Sequence, residues 1–463
     1  MFFSRLFSLL KVAPDIPRIT DDREMQKQYK YWRFRVMYAM MFGYMGYYFV
    51  RKSLAVAMPV IEQEFNIPKA QLGLILTAFG ITYGISKFIN GFAGDRTNPR
   101  YFMALGLICS ALINVFFGLS SGVIAFGVFW ILNGWFQGMG WAPCSKTLVN
   151  WYAARERGVR FSITNTACSI GASGVVFLNG FLIVRYGWRS CFFVPAGIAV
   201  LLALFILNRL RDRPQSLGLP PVEEYLGEET DISDSVEGKS TSYKEVVIQY
   251  IFKNPGMWIV SIANFFVYVV RYSVLDWGTT FLTQSKGVDI TQAAGIVGGY
   301  ELAGLAGMLV GGWAMDKLFK GYGGRTCGIY MAFCTLFIYL FWKLPVQSVI
   351  LNGALIWGTG FMIYGPQCLV AVIAVNMVPK SAGAAAVGLT GLFGYLSTIL
   401  SGWGLGLVVD NFGWNTGFMV LVLSSLAALI CFIMLWNRNP HLPGSKAHAE
   451  HENNKLRNRT IGK

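Results

Sequence analysis

Apolar residues in this chain run in long unbroken stretches, with polar residues gathered into short intervals between them. From Val36 to Trp436 the stretches reach roughly 18 residues or more, enough to cross a hydrocarbon core of about 30 Å. The pattern predicts spans near 36–60, 72–93, 101–119, 123–149, 162–184 and 191–207. It predicts six more near 257–282, 294–315, 326–341, 349–370, 382–409 and 416–436. Barrel strands would alternate apolar and polar positions; these stretches do not, so the spans are expected to be helices. The polar interval at 208–254, rich in Pro, Gly, Ser and acidic residues, reads as a linker between two halves. The expected layout is an N-terminal segment (1–33), a six-helix bundle (34–207), the linker (208–254), a second six-helix bundle (255–437) and a charged tail (438–463). The chain is thus expected to be an all-α membrane protein with twelve transmembrane helices.

Composition supports the pattern. Hydrophobic residues make up 54% of the 463 and charged residues only 14%, against about 25% in a soluble domain. The N-terminus does not read as a signal peptide, because Arg5 and Lys11 interrupt its apolar part and no small-residue cleavage site follows. The net charge of +15 would suggest nucleic acid in a soluble protein. Here the cations flank the spans, so topology and anionic lipid account for them, and no nucleic-acid partner is expected. Basic residues cluster after spans two, four, six and eight, as in Arg96 and Arg100, Arg155 to Arg160, Arg209 to Arg213, and Lys317 to Arg325. Arg185 and Arg189 break the alternation. Both termini are therefore expected on the cytoplasmic side. The eight cysteines show no metal spacing, and His441, His448 and His451 all lie in the tail. No metal, cofactor or catalytic residue is expected, and enzymatic chemistry is disfavoured.

The two halves repeat. Tyr48-Phe-Val-Arg51-Lys-Ser53 matches Tyr268-Val-Val-Arg271-Tyr-Ser273, Gly91-Phe-Ala-Gly-Asp95-Arg96 matches Gly312-Trp-Ala-Met-Asp316-Lys317, and Tyr186-Gly-Trp188 matches Phe412-Gly-Trp414. All three pairs occur in the same order, offset by roughly 220 to 226 residues. Two pseudo-symmetric bundles with a substrate site where the repeats meet is a common build among secondary transporters.

The candidate chemistry lies in charges inside the spans. Arg51 stands sixteen residues beyond Arg35, about 24 Å at about 1.5 Å per residue, out of reach of the membrane edge by snorkelling. Arg271 is placed alike. An arginine at that depth costs about 2.5 kcal/mol or more unless it faces a cavity or a partner. Guanidinium offers a planar fork of donors to phosphate and keeps its charge; alternatively the two arginines form ion pairs that hold spans together. Lys52 and Asp276 could bridge the halves, either statically or as a gate. Lys87, one turn after Tyr83, is a further deep cation, and Glu301 a deep acid that could pair with it. Tyr44, Tyr48, Tyr268 and Tyr364 either line a path or fill the core. The positive surplus favours an anionic passenger.

YYFVRKSLAVAMP, ITYGISKFINGFAGDRTNPRYF, GWFQGMGWAPCSKT, RDRPQSLGLPPVEEY, VYVVRYSVLDWG, IYGPQCLV and GLTGLFGYL resemble the organophosphate:phosphate antiporters of the major facilitator superfamily. The matches reach from about residue 28 to 436. The resemblance implies the major facilitator superfamily fold, alternating access, and exchange of a phosphorylated sugar or polyol for inorganic phosphate across a bacterial inner membrane. It implies that Arg51 and Arg271 bind the phosphoryl group, that Lys87 lies near substrate, and that Lys52, Asp276 and Glu301 form charge pairs coupled to the cycle. GFAGDR and GWAMDK resemble the gate loops of the superfamily, which makes Asp95, Arg96 and Asp316 gating candidates. Many family members carry a histidine where Cys168 stands, and a neutral thiol is a weaker donor. The N-terminal motifs resemble the hexose-phosphate branch, including its glucose 6-phosphate sensor, whereas GWFQGMGWAPC and PPVEEY also resemble the glycerol-3-phosphate branch. The expected passenger is a hexose 6-phosphate, the expected state a monomer, with a signalling partner if the chain is a sensor.

Overall fold

In the computed structural model, which describes residues 10–152, 154–226, 248–344, 348–378 and 383–438, the described apolar stretches fold into helices, two of them interrupted. The first span comprises α1 (Asp22–Phe49) and α2 (Ser53–Phe65). α3 (Lys69–Asp95) and α4 (Pro99–Leu119) follow, and the fourth span is again divided, into α5 (Val123–Gln137) and α6 (Trp141–Trp151). α7 (Ala154–Tyr186) and α8 (Ser190–Arg209) complete the first half. The second half holds α9 (Pro255–Lys286), α10 (Ile290–Trp313), α11 (Gly323–Lys343), α12 (Val349–Asn376), α13 (Gly383–Thr398) and α14 (Leu405–Met434).

Ten stretches among the described residues are long and apolar enough to cross a membrane. One of them, Ala386–Met434, is 49 residues long and reverses at Gly413, with φ 75° and ψ 174°. Dividing it there and adding α1–α2, whose polar start lowers its hydropathy, gives twelve spans. α1 begins well before the apolar run, at Asp22, because the Asp21 side chain caps it by accepting from the Arg23 N–H at 3.0 Å. Asn98 caps α4 in the same way, with Pro99 at the first helical position.

The chain forms two units: Met1–Gly238 with Leu282–Gln284 and Val288–Gly298, and Lys239–Phe281 with Ser285–Gly287 and Gly299–Lys463. Each has its own aromatic core. In the N-terminal unit Phe117, Phe126, Trp130 and Phe192 pack ring on ring. In the C-terminal unit Phe281 packs on Phe341, Trp414 and Phe418. The repeat noted in the sequence has a backbone counterpart. Gly187 and Gly413 both adopt the left-handed region, at φ 77° and 75°, each followed by a tryptophan turned into its unit's aromatic core.

The N-terminal unit is laced at the end where α1 begins. The buried Asp212 carboxylate accepts from the Ala13 N–H at 3.0 Å and lies 3.8 Å from Lys146 Nζ. Arg213 holds both the Ala13 carbonyl (3.0 Å) and Asp15 (3.1 Å). Tyr29 donates to the Pro220 carbonyl at 2.6 Å and stacks on Tyr225. Ala13 and Asp15, ahead of α1, are therefore fixed against the start of the linker, while 1–9 and 227–247 lie outside the described residues.

Candidate functional site

The N-terminal unit presents Arg51 at a break in its first span. Val50 closes α1 and Lys52 opens α2, so the Arg51 and Lys52 N–H groups fall back on the Tyr48 carbonyl, at 3.2 and 3.3 Å. A break at membrane depth frees backbone acceptors that no water there will satisfy. Two buried amides answer one of them: Asn114 Nδ2 on α4 and Asn133 Nδ2 on α5 both donate to the Val50 carbonyl, each at 2.9 Å. Asn133 is held in turn by Ser110, whose hydroxyl accepts from Gln137 at 2.9 Å. All four side chains are buried.

The guanidinium of Arg51 rests on an aromatic shelf, 4.2 Å from the centroid of Tyr83, 5.5 Å from Phe79 and 5.7 Å from Tyr48. Lys52 is buried. Tyr44 packs edge-on against Tyr48 and tilted against Trp141, and Cys168 of α7 packs against this group. Lys87 is half-buried on α3. The break in the fourth span brings α3 close: a Cβ at Gly138 would run into Ser86 Oγ and the Lys87 backbone nitrogen.

The C-terminal unit presents Arg271 differently, within the unbroken α9. Its Nη2 donates to Tyr364 Oη at 3.1 Å, and Tyr364 in turn donates to Glu301. The guanidinium lies 4.7, 5.5 and 5.8 Å from the rings of Tyr364, Tyr272 and Tyr268. Gly304 makes room for Tyr364, since a Cβ there would lie 2.5 to 2.8 Å from three ring carbons. Among the described residues Arg271 forms no direct ion pair, and its Nε has no hydrogen-bond partner; the same holds for Glu301 Oε1 and the Tyr300 hydroxyl. Asp276 is half-buried one and a half turns further along α9.

The arrangement is that of a membrane protein presenting one deep guanidinium per half on tyrosine rings. A family model described as Major Facilitator Superfamily matches residues 40–402. A probable hexose phosphate transport protein of Chlamydia pneumoniae is 40% identical over 444 residues, covering 93% of this chain and 97% of that one. A glycerol-3-phosphate transporter of Bacillus subtilis (strain 168) is 39% identical over 438 residues, covering 93% and 98%. The chain belongs to the organophosphate:phosphate antiporter family of the major facilitator superfamily. A further relative is the membrane sensor protein UhpC of Escherichia coli (strain K12), 38% identical over 430 residues, covering 93% and 97%. A solved structure of a bacterial homolog to the human lysosomal transporter Spinster has a TM-score of 0.70 at 17% identity, covering 88% of this chain and 95% of that one, and speaks to the fold alone.

For this member of the family, the structure groups Arg51 with Tyr48, Tyr44 and Cys168, and Arg271 with Tyr268, Tyr364 and Glu301. Glu301 accepts from the Tyr364 hydroxyl within its own unit. Tyr364 is buried and bridges Arg271 and Glu301. Arg96 is exposed at the end of α3. The side chains of the gating candidates Asp95 and Asp316 lie outside the described ones. The Asn114–Asn133–Ser110–Gln137 network went unread in the sequence. Its signal was present: Ser110 and Asn114, and Asn133 and Gln137, are polar pairs four apart inside apolar spans.

Proposed function

We propose that this chain is a secondary carrier of the bacterial inner membrane, with both termini cytoplasmic. It exchanges a hexose 6-phosphate, such as glucose 6-phosphate, for inorganic phosphate by alternating access. The observation that carries the reading is Arg271: a deep, permanent cation whose described partner is a hydroxyl and not a carboxylate. Such a group has donors left for a phosphoryl oxygen. Arg51, held on rings at the break of the first span, is its counterpart in the other half. Lys87 is assigned to the substrate region, as are Tyr44, Tyr48, Tyr268, Tyr364 and Cys168. Lys52, Asp276, Glu301, Asp95, Arg96 and Asp316 are assigned to pairing and gating. Neither a cofactor nor an enzymatic step enters this account, and the working state is a monomer.

Counterflow in proteoliposomes tests the proposal. Vesicles loaded with phosphate should accumulate labelled glucose 6-phosphate in preference to glycerol 3-phosphate and phosphoglycerate. A preference for glycerol 3-phosphate would move the chain to the other transporter branch. A second reading is favoured by the 38% identity to a membrane sensor: the same site would then bind external sugar phosphate and signal to a partner. Binding without flux in a strain lacking other carriers would select that reading.

A further inference from the structure

Three spans bring arginines to one end of the N-terminal unit: Arg35 on α1, Arg100 at the start of α4, and Arg211 just after α8. Arg35 Nη2 and Arg211 Nη1 donate to the same atom, the Asn208 carbonyl oxygen, at 3.2 and 3.0 Å. Two guanidinium groups meeting on one acceptor cannot stand far apart. Both also lie over the Trp32 ring, at 4.8 and 4.9 Å. Burial lowers the Arg211 pKa, and the charges of Arg100 and Arg35 lower it further. Among the described residues none of the three forms an ion pair with a carboxylate. Arg35 Nε and Arg100 Nε are buried without a hydrogen-bond partner. The C-terminus of α8 supplies roughly half a negative charge, too little for three cations.

An aromatic track leads from this cluster along α1. Phe34, Tyr38 and Phe42 recur at every fourth residue, and Phe205 of α8 joins them. Ring centroids are 5.4 Å apart for Phe34 and Tyr38, and 5.9 Å for Phe205 with each of Tyr38 and Phe42. Phe34 is 73% and Phe42 45% exposed. A free phosphate ion would use the cations and have no use for the track. A phospholipid uses both, with its phosphate on the guanidinium forks and an acyl chain along the rings.

We propose that Arg35, Arg100 and Arg211 seat the headgroup phosphate of an anionic phospholipid, with Phe34, Tyr38, Phe42 and Phe205 holding its acyl chain. The site is separate from the transport residues and does not rest on which passenger the chain carries. Native mass spectrometry of the full chain in mild detergent tests it, with phosphatidylglycerol or phosphatidylethanolamine added at equal concentration. The wild type should retain phosphatidylglycerol preferentially, and Arg35→Gln with Arg211→Gln should lose roughly fivefold or more of that preference. Lys320→Gln, an exposed cation of the other unit, should change nothing. Equal retention of both lipids by the wild type would overturn the proposal. So would a double variant that keeps the preference, or a Lys320 variant that loses it as strongly. Displacement of the lipid by excess inorganic phosphate would show a site for free phosphate, and the lipid assignment would fall. If the double variant does not fold, Arg211→Lys keeps the charge without the fork. Weaker phosphatidylglycerol adducts would then support the seat, and unchanged ones would overturn it.

Discussion

Arg271 and Glu301 are opposite charges in one unit, yet a hydroxyl stands between them. Tyr364 accepts from the arginine and donates to the carboxylate. This arrangement stabilises the acid without consuming the guanidinium's remaining donors. Removing the hydroxyl should let the two charges collapse into a direct pair, which in a low-dielectric setting is strong. Tyr364→Phe is therefore expected to weaken phosphate binding by about tenfold, one charge-assisted hydrogen bond's worth. Adding Glu301→Gln to that variant should restore much of the loss, because the competitor is gone. Isothermal titration with inorganic phosphate reads both; a double variant no better than the single would show that Tyr364 contacts the ligand itself. Arg271→Lys keeps the charge but loses the fork. It should raise the apparent KM in counterflow by roughly tenfold or more, while Arg51→Ala and Arg271→Ala should each abolish exchange. Normal uptake by both alanine variants would remove the proposed clamp.

A helix is usually explained by its own sequence, but the first span is broken by other spans. The two amides that hold the Val50 carbonyl come from positions 64 and 83 residues further along. Asn133→Leu removes one of two donors on a buried carbonyl and leaves Ser110 and Gln137 to rearrange. An unmade buried bond costs about 1–3 kcal/mol. The expected result is a lower melting temperature together with a fall in counterflow rate, while Asn114 still holds the break. Asn114→Leu with Asn133→Leu should lose transport altogether, and full activity in the double variant would show that the clamp does not set the Arg51 position. This element also shows what the sequence made legible. Arg51 and Arg271 stood out because each violates the composition of its own span, and the match of Tyr186-Gly-Trp188 to Phe412-Gly-Trp414 marked the duplication of the halves. The break at Val50–Lys52 was hidden because nothing between Tyr48 and Ser53 is a helix breaker. The Tyr364 bridge was hidden likewise, since it joins α9, α10 and α12 through side chains remote in sequence.

At the scale of the whole molecule, two units of like construction carry different supports for like charges. The N-terminal unit holds its arginine at a broken helix; the C-terminal unit holds its own within a continuous one. The N-terminal unit is also fastened at one end by Asp212, whose side chain is fully buried beside Lys146. Breaking a buried pair leaves an uncompensated charge, so Asp212→Ala should cost about 3–5 kcal/mol, read as a large drop in detergent melting temperature. Arg18→Ala, which loses only an exposed fork to Glu224, should cost no more than about 1 kcal/mol. The proposed exchange is testable on the whole molecule. A ligand shifts a conformational equilibrium only by its differential affinity for the two states. If a permanent cation in each half disfavours closure until a phosphoryl group arrives, the empty carrier cannot return, and uptake requires a passenger on the far side. Glucose 6-phosphate uptake into proteoliposomes should then rise steeply with internal phosphate and fall to the leak level without it. Neutralising one cation, as in Arg51→Gln, should lower binding while relaxing the requirement, so that residual uptake depends less on internal phosphate. Uptake by the wild type that ignores internal phosphate would separate the two arginines from the coupling step and leave them as binding groups only.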